Sequence, residues 1–318
     1  MNVLVTGAGG FVGQRLCAHL GRSGWRVRQA HRLLPRASRL APGSAQVQVG
    51  EIGLDTDWRH ALDGMESVVH LAARVHVTKD ASPAPLAEFR RVNVMGTDDL
   101  ARQSAAAGVR RFVYLSSVKV NGESTQPGRA FTALDAPAPE DPYGISKSEA
   151  EKALRRIADK TGMEVVIVRP PLVYGPGVRA NFESMMRWLA RGVPLPLAAV
   201  VNNRRSLVAI DNLVDLIDTC LRHPQAAHRT FLVSDGEDLS TADLLRRLGR
   251  AMGRPARLFH VPTGLLELGA ALLRQDAACR RLCGSLQVDI APTREILGWA
   301  PPLSVDEGLR RAAEGFRA

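Results

Sequence analysis

A tyrosine and a lysine one helical turn apart form the most reactive pair in this chain. Tyr143 and Lys147 follow Pro142 at the start of a segment with helical spacing. Residues four apart lie on one face of a helix, so the ammonium of Lys147 can approach the phenol of Tyr143. A free tyrosine has a pKa of about 10, and a nearby positive charge lowers the pKa toward the range that proton transfer requires. The spacing predicts a general acid or base, although this spacing also occurs by chance on many helices.

A glycine motif at the start of the chain predicts a nucleotide site. The apolar run 2–5 has the character of a buried strand, and Gly7, Gly10 and Gly13 follow it before a segment with helical spacing. Strand, glycine turn and helix are the context of a dinucleotide-binding fingerprint. Gly7 permits the tight turn, Gly10 lets the backbone approach a pyrophosphate, and Gly13 lets the helix pack on the strand. The alternative is a purely structural turn.

The residues after the second predicted strand, 26–30, bear on which dinucleotide binds. They include His31, Arg32, Arg36 and Arg39, and none of the first 50 residues is a carboxylate. A carboxylate here accepts hydrogen bonds from the ribose of NAD, whereas a guanidinium suits the 2′-phosphate of NADP. The pattern favours NADP(H), with NAD(H) as the alternative cofactor and a solvated basic loop as the alternative interpretation.

Composition excludes several classes of protein. The 318 residues are 45% hydrophobic and 23% charged, which suits one large domain or one and a half. The net charge of +10 is spread thinly, without a lysine-rich tail, and favours small anionic ligands over nucleic acid. The four cysteines (Cys17, Cys220, Cys279 and Cys283) have no zinc-site spacing, so we expect no metal and reduced thiols in a cytoplasmic protein.

The sequence also bears on membrane contact. No apolar run approaches the roughly 20 residues that span a bilayer, so we expect no transmembrane segment. The pattern at the N-terminus predicts a strand and not a signal peptide. The segment 265–282 combines leucines with Arg274, Arg280 and Arg281 and could lie on a membrane surface. The interpretation that we favour for it is a helix packed on the core.

Strand and helix signals alternate through most of the chain. Strands are predicted at 2–5, 26–30, 46–50, 67–71, 111–116, 164–168 and 230–233, and helices at 11–24, 58–62, 86–108, 144–161 and 212–222. Alternation of this kind predicts an α/β fold, a Rossmann-type doubly wound parallel sheet with helices on both faces. Past position 169 the signal loosens, with a strand near 207–210, helices near 241–252 and 263–274, and a terminal helix from 304.

Two serines lie at the end of the predicted strand 111–116: Ser116 is its last residue, and Ser117 follows it. Ligands bind at the carboxyl ends of parallel strands, so Ser116 and Ser117 belong to the predicted site. The hydroxyl of Ser117 would orient the reacting oxygen of the substrate beside Tyr143.

Six motifs in this order resemble the extended short-chain dehydrogenases/reductases of the nucleotide-sugar epimerase/reductase group. The resemblance covers essentially the whole chain, and its motifs are residues 6–13, 70–73, 93–97, 114–117, 143–147 and 169–176. It implies a smaller mixed α/β substrate-binding lobe beside the sheet. Residues 1–170, with 206–235 returning to them, would form the NAD(P)-binding domain, and 171–205 with 236–318 the nucleotide-sugar lobe.

The resemblance assigns roles by position. Ser117, Tyr143 and Lys147 would be catalytic. Asn93 would support the active-site backbone, and Glu51 with Ile52 would lie beside the adenine. The full set expected at the cofactor is Gly7, Gly10, Phe11, Val12, Gly13, His31, Arg32, Glu51, Ile52, Leu71, Ala72, Ala73, Asn93, Ser116, Tyr143, Lys147 and Pro170.

For the substrate, the resemblance implies a UDP-sugar site. Asn181, which Phe182 follows in the same substrate-binding motif, and Arg205 would contact the diphosphate. The simpler alternative for Arg205 is a surface salt bridge. The uracil and the sugar would be held by Leu195, Pro196, Lys119 and Leu172. A homodimer is also implied, through helices 86–108 and 144–161.

Departures from the family pattern narrow the reaction. The positions 117–120 lack the Thr-Asp-Glu cluster of the 4,6-dehydratases, which argues against dehydration. The basic residues after the second strand favour a 4-ketoreductase that acts on a UDP-4-keto-6-deoxy-N-acetylhexosamine for surface polysaccharide. A UDP-glucose or UDP-N-acetylglucosamine 4-epimerase is the alternative. A non-catalytic NADP sensor is a third possibility, which the intact Ser117, Tyr143 and Lys147 disfavour.

Overall fold

Parallel strands build the centre of the molecule. The computed structural model describes residues 1–35, 40, 43–75, 84–126, 128–272 and 275–316. Arg36, Arg39 and Arg274 therefore lie outside the described residues. The strands are β1 (Asn2–Thr6), β2 (Arg26–His31), β3 (Ala45–Gln48), β4 (Ser67–His70), β5 (Arg111–Leu115), β6 (Glu164–Arg169), β7 (Leu172–Tyr174), β8 (Leu207–Ala209) and β9 (Thr230–Leu232).

Seven of these strands form one parallel sheet in the order β3-β2-β1-β4-β5-β6-β9. The chain therefore builds outward from β1 on one side and from β4 on the other. In such sheets ligands bind at the carboxyl ends of the strands, at the point where the order reverses. The glycine turn after β1 lies at that point. The α/β prediction is confirmed.

Helices cover both faces of the sheet. They are α1 (Phe11–Arg22), α2 (Arg59–Leu62), α3 (Pro85–Phe89), α4 (Gly96–Ala106), α5 (Pro142–Thr161), α6 (Ala180–Ala190), α7 (Ile210–Arg222), α8 (Thr241–Ala251), α9 (Thr263–Leu272), α10 (Asp276–Cys283), α11 (Ala291–Leu297) and α12 (Val305–Glu314). Because side chains alternate along a strand, Val3 and Val5 pack on the side of α1 and α7, and Leu4 packs on the side of α4 and α5. Among the described residues, none of these helices is both long and apolar enough to cross a membrane.

The predicted helix 86–108 has a wider middle turn. A π-helical stretch, Arg90–Met95, joins α3 to α4, and its one buried residue is Asn93. Single π-helical turns often occur at functional sites, because they redirect one side chain out of the helical repeat. The turn points Asn93 toward α5 and the loop after β4.

Beside the large sheet lies a second group of elements with its own core. The strands β7 and β8 pair with each other, and α6, α8 and α12 pack around them. The sequence analysis did not predict β7, α6, α10 or α11 as separate elements. The boundaries of the two predicted domains stay a prediction.

Candidate active site

A cavity of about 760 Å³ runs along the carboxyl edge of the sheet. Its size lies within the range of roughly 300–1,000 Å³ that small-molecule sites have. Of the predicted cofactor residues, all but Asn93 line it: Gly7, Gly10, Phe11, Val12, Gly13, His31, Arg32, Glu51, Ile52, Leu71, Ala72, Ala73, Ser116, Tyr143, Lys147 and Pro170. Ser117 lines the same cavity, so the structure brings the three predicted catalytic side chains to one wall of it.

The glycine turn forms a cradle that only glycine can form. Gly7 has a φ of +67°, and a Cβ there would lie 2.8 Å from the backbone nitrogen of Ala72. A Cβ on Gly13 would collide with the carbonyl oxygen of Gly7. Gly10 precedes the first turn of α1 and provides no side-chain cap, so the N–H groups of that turn are available to an anion. These residues fit the pyrophosphate of a dinucleotide.

The adenosine end of the cavity holds a carboxylate as well as a guanidinium. The Nη1 of Arg32 lies 3.1 Å from the Oε1 of Glu51, and both side chains are largely exposed. Burial lowers the pKa of His31, which keeps its ring neutral. The carboxylate that β2 lacks is therefore provided after β3, and the charge available for a 2′-phosphate is smaller than the sequence suggested.

A buried histidine fixes the backbone opposite the glycine turn. His70 is fully buried, and burial lowers its pKa to about 3, so its ring is neutral. The Oγ1 of Thr97 donates to the carbonyl of Asn93 and must accept from the Nε2 of His70, 3.0 Å away. The Nδ1 of His70 then accepts from Thr6 at 2.6 Å, and Thr6 accepts from the backbone N–H of Ala72. The sequence analysis quoted His70 in a motif but gave it no role.

Asn93 supports the site indirectly, through hydrogen bonds to neighbouring residues. Its Oδ1 accepts from the backbone nitrogen of Arg74 at 2.8 Å, and its Nδ2 donates to the carbonyl of Arg74 at 3.0 Å. The same Nδ2 donates to the Oγ of Ser146, whose hydroxyl donates to the carbonyl of Tyr143. Asn93 does not line the cavity, so the structure places it as a support for the residues that do.

Tyr143 and Lys147 lie on the first two turns of α5. Asp141 caps this helix by accepting from the backbone nitrogen of Gly144 at 2.7 Å. The Nζ of Lys147 donates to the carbonyl of Leu115 at 2.8 Å and lies 5.9 Å from the centre of the Tyr143 ring. The ammonium is therefore within cation–π range of the tyrosine ring.

The charge states of this pair differ from the sequence expectation. Burial, and then the carboxylate of Asp141, raise the pKa of Tyr143 above its ordinary value. Burial lowers the pKa of Lys147 to about 7, a shift that the carboxylate of Glu151 partly opposes. In this structure the expected lowering of the tyrosine pKa is absent, because burial and the neighbouring carboxylate both disfavour the phenolate.

The turn after β5 positions Ser117. The Oγ of Ser117 accepts from the backbone nitrogen of Lys119 at 3.2 Å. The backbone nitrogen of Val118, which lies between these two residues, donates to the carbonyl of Pro170. These bonds fix the turn between β5 and the strand beside it. The side chain of Ser116 points the other way and donates to Glu151 at 2.6 Å in the core.

Behind the site lies a buried ion pair that the sequence analysis missed. Arg169 donates to both carboxylate oxygens of Glu151, at 2.8 and 2.6 Å, and both side chains are almost completely buried. Asn121 accepts from the same guanidinium at 3.0 Å. Glu151 lies on α5 and Arg169 on β6, so no local spacing in the sequence signalled this pair.

Lys119 is held by acidic neighbours. Its Nζ lies 2.7 Å from Glu123 and 2.6 Å from Asp141. It does not line the cavity, and its role at a sugar stays a prediction. The ammonium instead offsets the carboxylate that caps α5 two residues before Tyr143.

The other predicted substrate residues lie outside the cavity wall. Phe182 is completely buried and stacks on Tyr174, with ring centres 5.3 Å apart, so the structure places its ring in the core of the second group of elements. Leu195 is also buried, Pro196 is half-buried, and Leu172 and Asn181 are exposed. The roles of these residues at a substrate stay predictions.

Arg205 is the predicted substrate residue whose surroundings suit an anion best. It is half-buried, and burial lowers its pKa. Its Nη1 donates to the carbonyl of Gly284 at 3.1 Å. Within the described part of the chain no carboxylate forms an ion pair with it, so the alternative of a surface salt bridge finds no partner there.

Together, the doubly wound sheet, the glycine cradle and the Ser/Tyr/Lys wall define a dinucleotide-binding enzyme of the extended short-chain dehydrogenase/reductase type. The model of the NAD dependent epimerase/dehydratase family matches residues 3–234. A Vibrio cholerae protein described as UDP-glucose 4-epimerase is 47% identical over 99% of this chain and 95% of its own length. The chain therefore belongs to the NAD dependent epimerase/dehydratase family.

Two more distant relatives have different substrates in their names. A protein of Escherichia coli O157:H7 described as N-acetyl-alpha-D-glucosaminyl-diphospho-ditrans,octacis-undecaprenol 4-epimerase is 26% identical over 98% of this chain and 94% of its own length. Among solved structures, UDP-glucuronic acid 4-epimerase from Bacillus cereus, in complex with NAD, has a TM-score of 0.79 at 21% identity and covers 99% of this chain and 96% of that one. At that identity the structural match supports the fold alone.

These findings confirm the predicted family, the predicted fold class and the prediction of an enzyme with a nicotinamide dinucleotide. The preference for NADP(H) over NAD(H) remains a prediction.

Proposed function

We propose that this enzyme is a UDP-sugar 4-epimerase that uses NAD, with UDP-glucose and UDP-galactose as the first substrates to test. The observation that carries the proposal is the single cavity shared by the glycine cradle, Ser117, Tyr143 and Lys147. The 47% identity to a relative described as UDP-glucose 4-epimerase supports the same reaction. This choice reverses the order of preference that the basic residues after β2 suggested.

The residues of this chain provide the proton chemistry of epimerisation. When bound, the nicotinamide accepts and returns the hydride of the sugar carbon C4. Tyr143 takes the proton of the C4 hydroxyl in the first half of the reaction and gives it back in the second half. Ser117 holds the same oxygen by a hydrogen bond, and the 4-keto sugar rotates between the halves so that its opposite face is reduced.

Lys147 provides the positive charge that the tyrosine needs. Because burial keeps Tyr143 protonated, it can act as a base only when a cation stabilises the phenolate. Burial places the pKa of Lys147 at about 7, so a substantial fraction is charged near neutral pH. A substrate oxygen between Ser117 and Tyr143 would complete this arrangement.

The adenosine end of the cavity supports NAD for this proposal. Glu51 reaches the same place as Arg32 and can accept hydrogen bonds from ribose hydroxyls, as a carboxylate at the end of the second strand does in NAD-binding folds. Arg32 is already paired with Glu51, and a 2′-phosphate would have to compete with that carboxylate.

A 4-ketoreductase of a UDP-4-keto-6-deoxy-N-acetylhexosamine remains the second candidate. The observation that favours it is the position of His31 and Arg32 at the adenosine end of the cavity, where a guanidinium can contact the 2′-phosphate of NADPH. A reductase uses its cofactor once per turnover and must exchange it.

Whether the purified enzyme retains its dinucleotide distinguishes the epimerase from the reductase. We expect freshly purified enzyme to carry close to one equivalent of NAD(H) that survives desalting, identified by mass after release. An empty site that binds NADPH more tightly than NADH would contradict the epimerase and support the reductase.

Arg205 tests the substrate class. We expect Arg205→Leu to raise the KM for a UDP-sugar by about tenfold to a hundredfold, because a charge-assisted contact with the diphosphate is lost. The control is Arg204→Leu. Arg204 is the exposed neighbouring residue, and it donates to the backbone carbonyls of Val201 and Asn203. Equal effects of the two variants on KM would contradict the proposed role of Arg205.

Three other features belong to this proposal. Residues 1–170 with 206–235 would form the cofactor domain, and 171–205 with 236–318 the substrate lobe. A homodimer would form through α3, α4 and α5, which light scattering tests by mass. The enzyme would act in the cytoplasm on a soluble nucleotide sugar.

A further inference from the structure

Helix α9 presents an apolar stripe to solvent. Leu265, Leu268 and Leu272 are 59%, 59% and 78% exposed, and their spacing of three and four residues puts them on one side of the helix. Leu266, on the opposite side, packs on the core formed around β7, β8 and α6. The favoured interpretation from the sequence, a helix packed on the core, therefore holds for one side of α9 only.

The surroundings of this stripe are apolar and basic. Phe259, a few residues earlier in the chain, is 49% exposed. We call Leu265, Leu268 and Leu272 the α9 face. Helix α10 packs against α9 and exposes Arg280 and Arg281. Positions 254 to 284 of the sequence contain five arginines and two acidic residues, so the region is positively charged.

This combination fits one kind of partner. Helices that lie in the plane of a membrane bury an apolar face at the boundary between headgroups and acyl chains, and basic residues beside it contact anionic lipids. The long stem of an arginine can follow the apolar surface while its head stays in water. A protein partner of the same size would need an apolar groove, but it would gain nothing from the arginines unless it were also acidic.

We propose that the α9 face docks on the surface of an anionic lipid bilayer. The contact is peripheral, because α9 is too short to span a membrane and its other side, with Leu266, packs on the core. Docking would hold the second group of elements at the bilayer, since α10 is followed by Gly284, whose carbonyl accepts from Arg205. The proposal does not depend on the reaction proposed above.

Vesicle binding tests the proposal with the full-length enzyme. We expect it to co-sediment with phosphatidylglycerol vesicles and much less with phosphatidylcholine vesicles. The combined variant Leu265→Gln, Leu268→Gln and Leu272→Gln should bind phosphatidylglycerol vesicles at least about tenfold more weakly, because three leucines no longer enter the interface. Leu134→Gln is the matched control, since Leu134 is 96% exposed outside α9 and α10.

Tryptophan fluorescence shows whether the α9 face is the part of the enzyme that contacts the vesicle. Leu268→Trp should show a blue-shifted emission with anionic vesicles and quenching by brominated acyl chains, and Leu134→Trp should show neither. Arg280→Gln with Arg281→Gln should reduce the dependence of binding on anionic lipid.

Three results would overturn the proposal. They are no binding of the unaltered enzyme to anionic vesicles, equal binding by the triple variant, and absence of quenching in Leu268→Trp. If light scattering showed instead that the triple variant dissociates a dimer while vesicles bind neither protein, a second copy of the chain would cover the α9 face.

Discussion

Replacing Tyr143 by phenylalanine should lower kcat by about 10²-fold or more. The phenol lies on the cavity wall that contains Ser117 and Lys147, and in the proposed reaction it takes and returns the proton of the C4 hydroxyl. The phenyl ring keeps the volume and the packing against Phe89, whose ring centre lies 6.1 Å away. The measurement is steady-state turnover of UDP-glucose together with the amount of bound dinucleotide, which should not change.

Tyr114→Phe is the matched control for this prediction. The hydroxyl of Tyr114 is buried, and its ring lies under the Nζ of Lys147 at 4.5 Å. Phenylalanine keeps that ring contact, so turnover should stay within a few-fold of the unaltered enzyme. Turnover that survives Tyr143→Phe would refute the proposed acid and base.

The second large effect concerns the ion pair behind the site. Glu151→Ala should lower the free energy of unfolding by about 3–5 kcal/mol, because it leaves the buried guanidinium of Arg169 without its counter-charge. The measurement is urea unfolding at neutral pH, followed by circular dichroism. Turnover should fall as well, since the same carboxylate favours the charged form of Lys147.

Glu149→Ala provides the comparison on the same helix. Glu149 pairs with Arg90 at the surface, where the two side chains are 31% and 47% exposed. Exposed pairs contribute about 0–1 kcal/mol, so this variant should unfold almost like the unaltered protein. Losses of equal size in the two variants would show that burial of the Glu151 pair does not matter.

Local patterns explain what the sequence predicted well. The runs that became β1 and β4 to β6 are apolar and short, and the glycines after β1 lie where a side chain would collide with the backbone. The helix that carries Tyr143 and Lys147 begins with an N-cap and a proline, which are signals within a few residues of each other. Such features can be predicted because neighbours in the chain determine them.

Contacts between distant residues explain what was missed. Strand β7 is three residues long and pairs with β8, far along the chain. Helix α6 begins at Ala180, whose φ of 56° no local signal predicts. The pairing of Arg169 with Glu151 and the neutral His70 likewise depend on which elements the fold brings together.

Charge predictions were least reliable where burial decides them. The sequence shows Lys119 but not the carboxylates of Glu123 and Asp141 around its ammonium, and its role at a sugar stays a prediction. Tyr143 was expected to have a lowered pKa, and burial raises it. In both cases the sequence shows the charged residue but not its distance from other charges or from solvent.

Epimerisation at C4 can be tested most directly by one measurement. Purified enzyme is mixed with UDP-galactose, without added reductant or cofactor, and the nucleotide sugars are separated over time. The proposal predicts that UDP-glucose accumulates until the two sugars reach equilibrium, with no net oxidation or reduction of bound dinucleotide. No interconversion of UDP-glucose with UDP-galactose, or of their N-acetylated counterparts, together with NADPH consumption on a 4-keto-6-deoxy UDP-sugar, would contradict it.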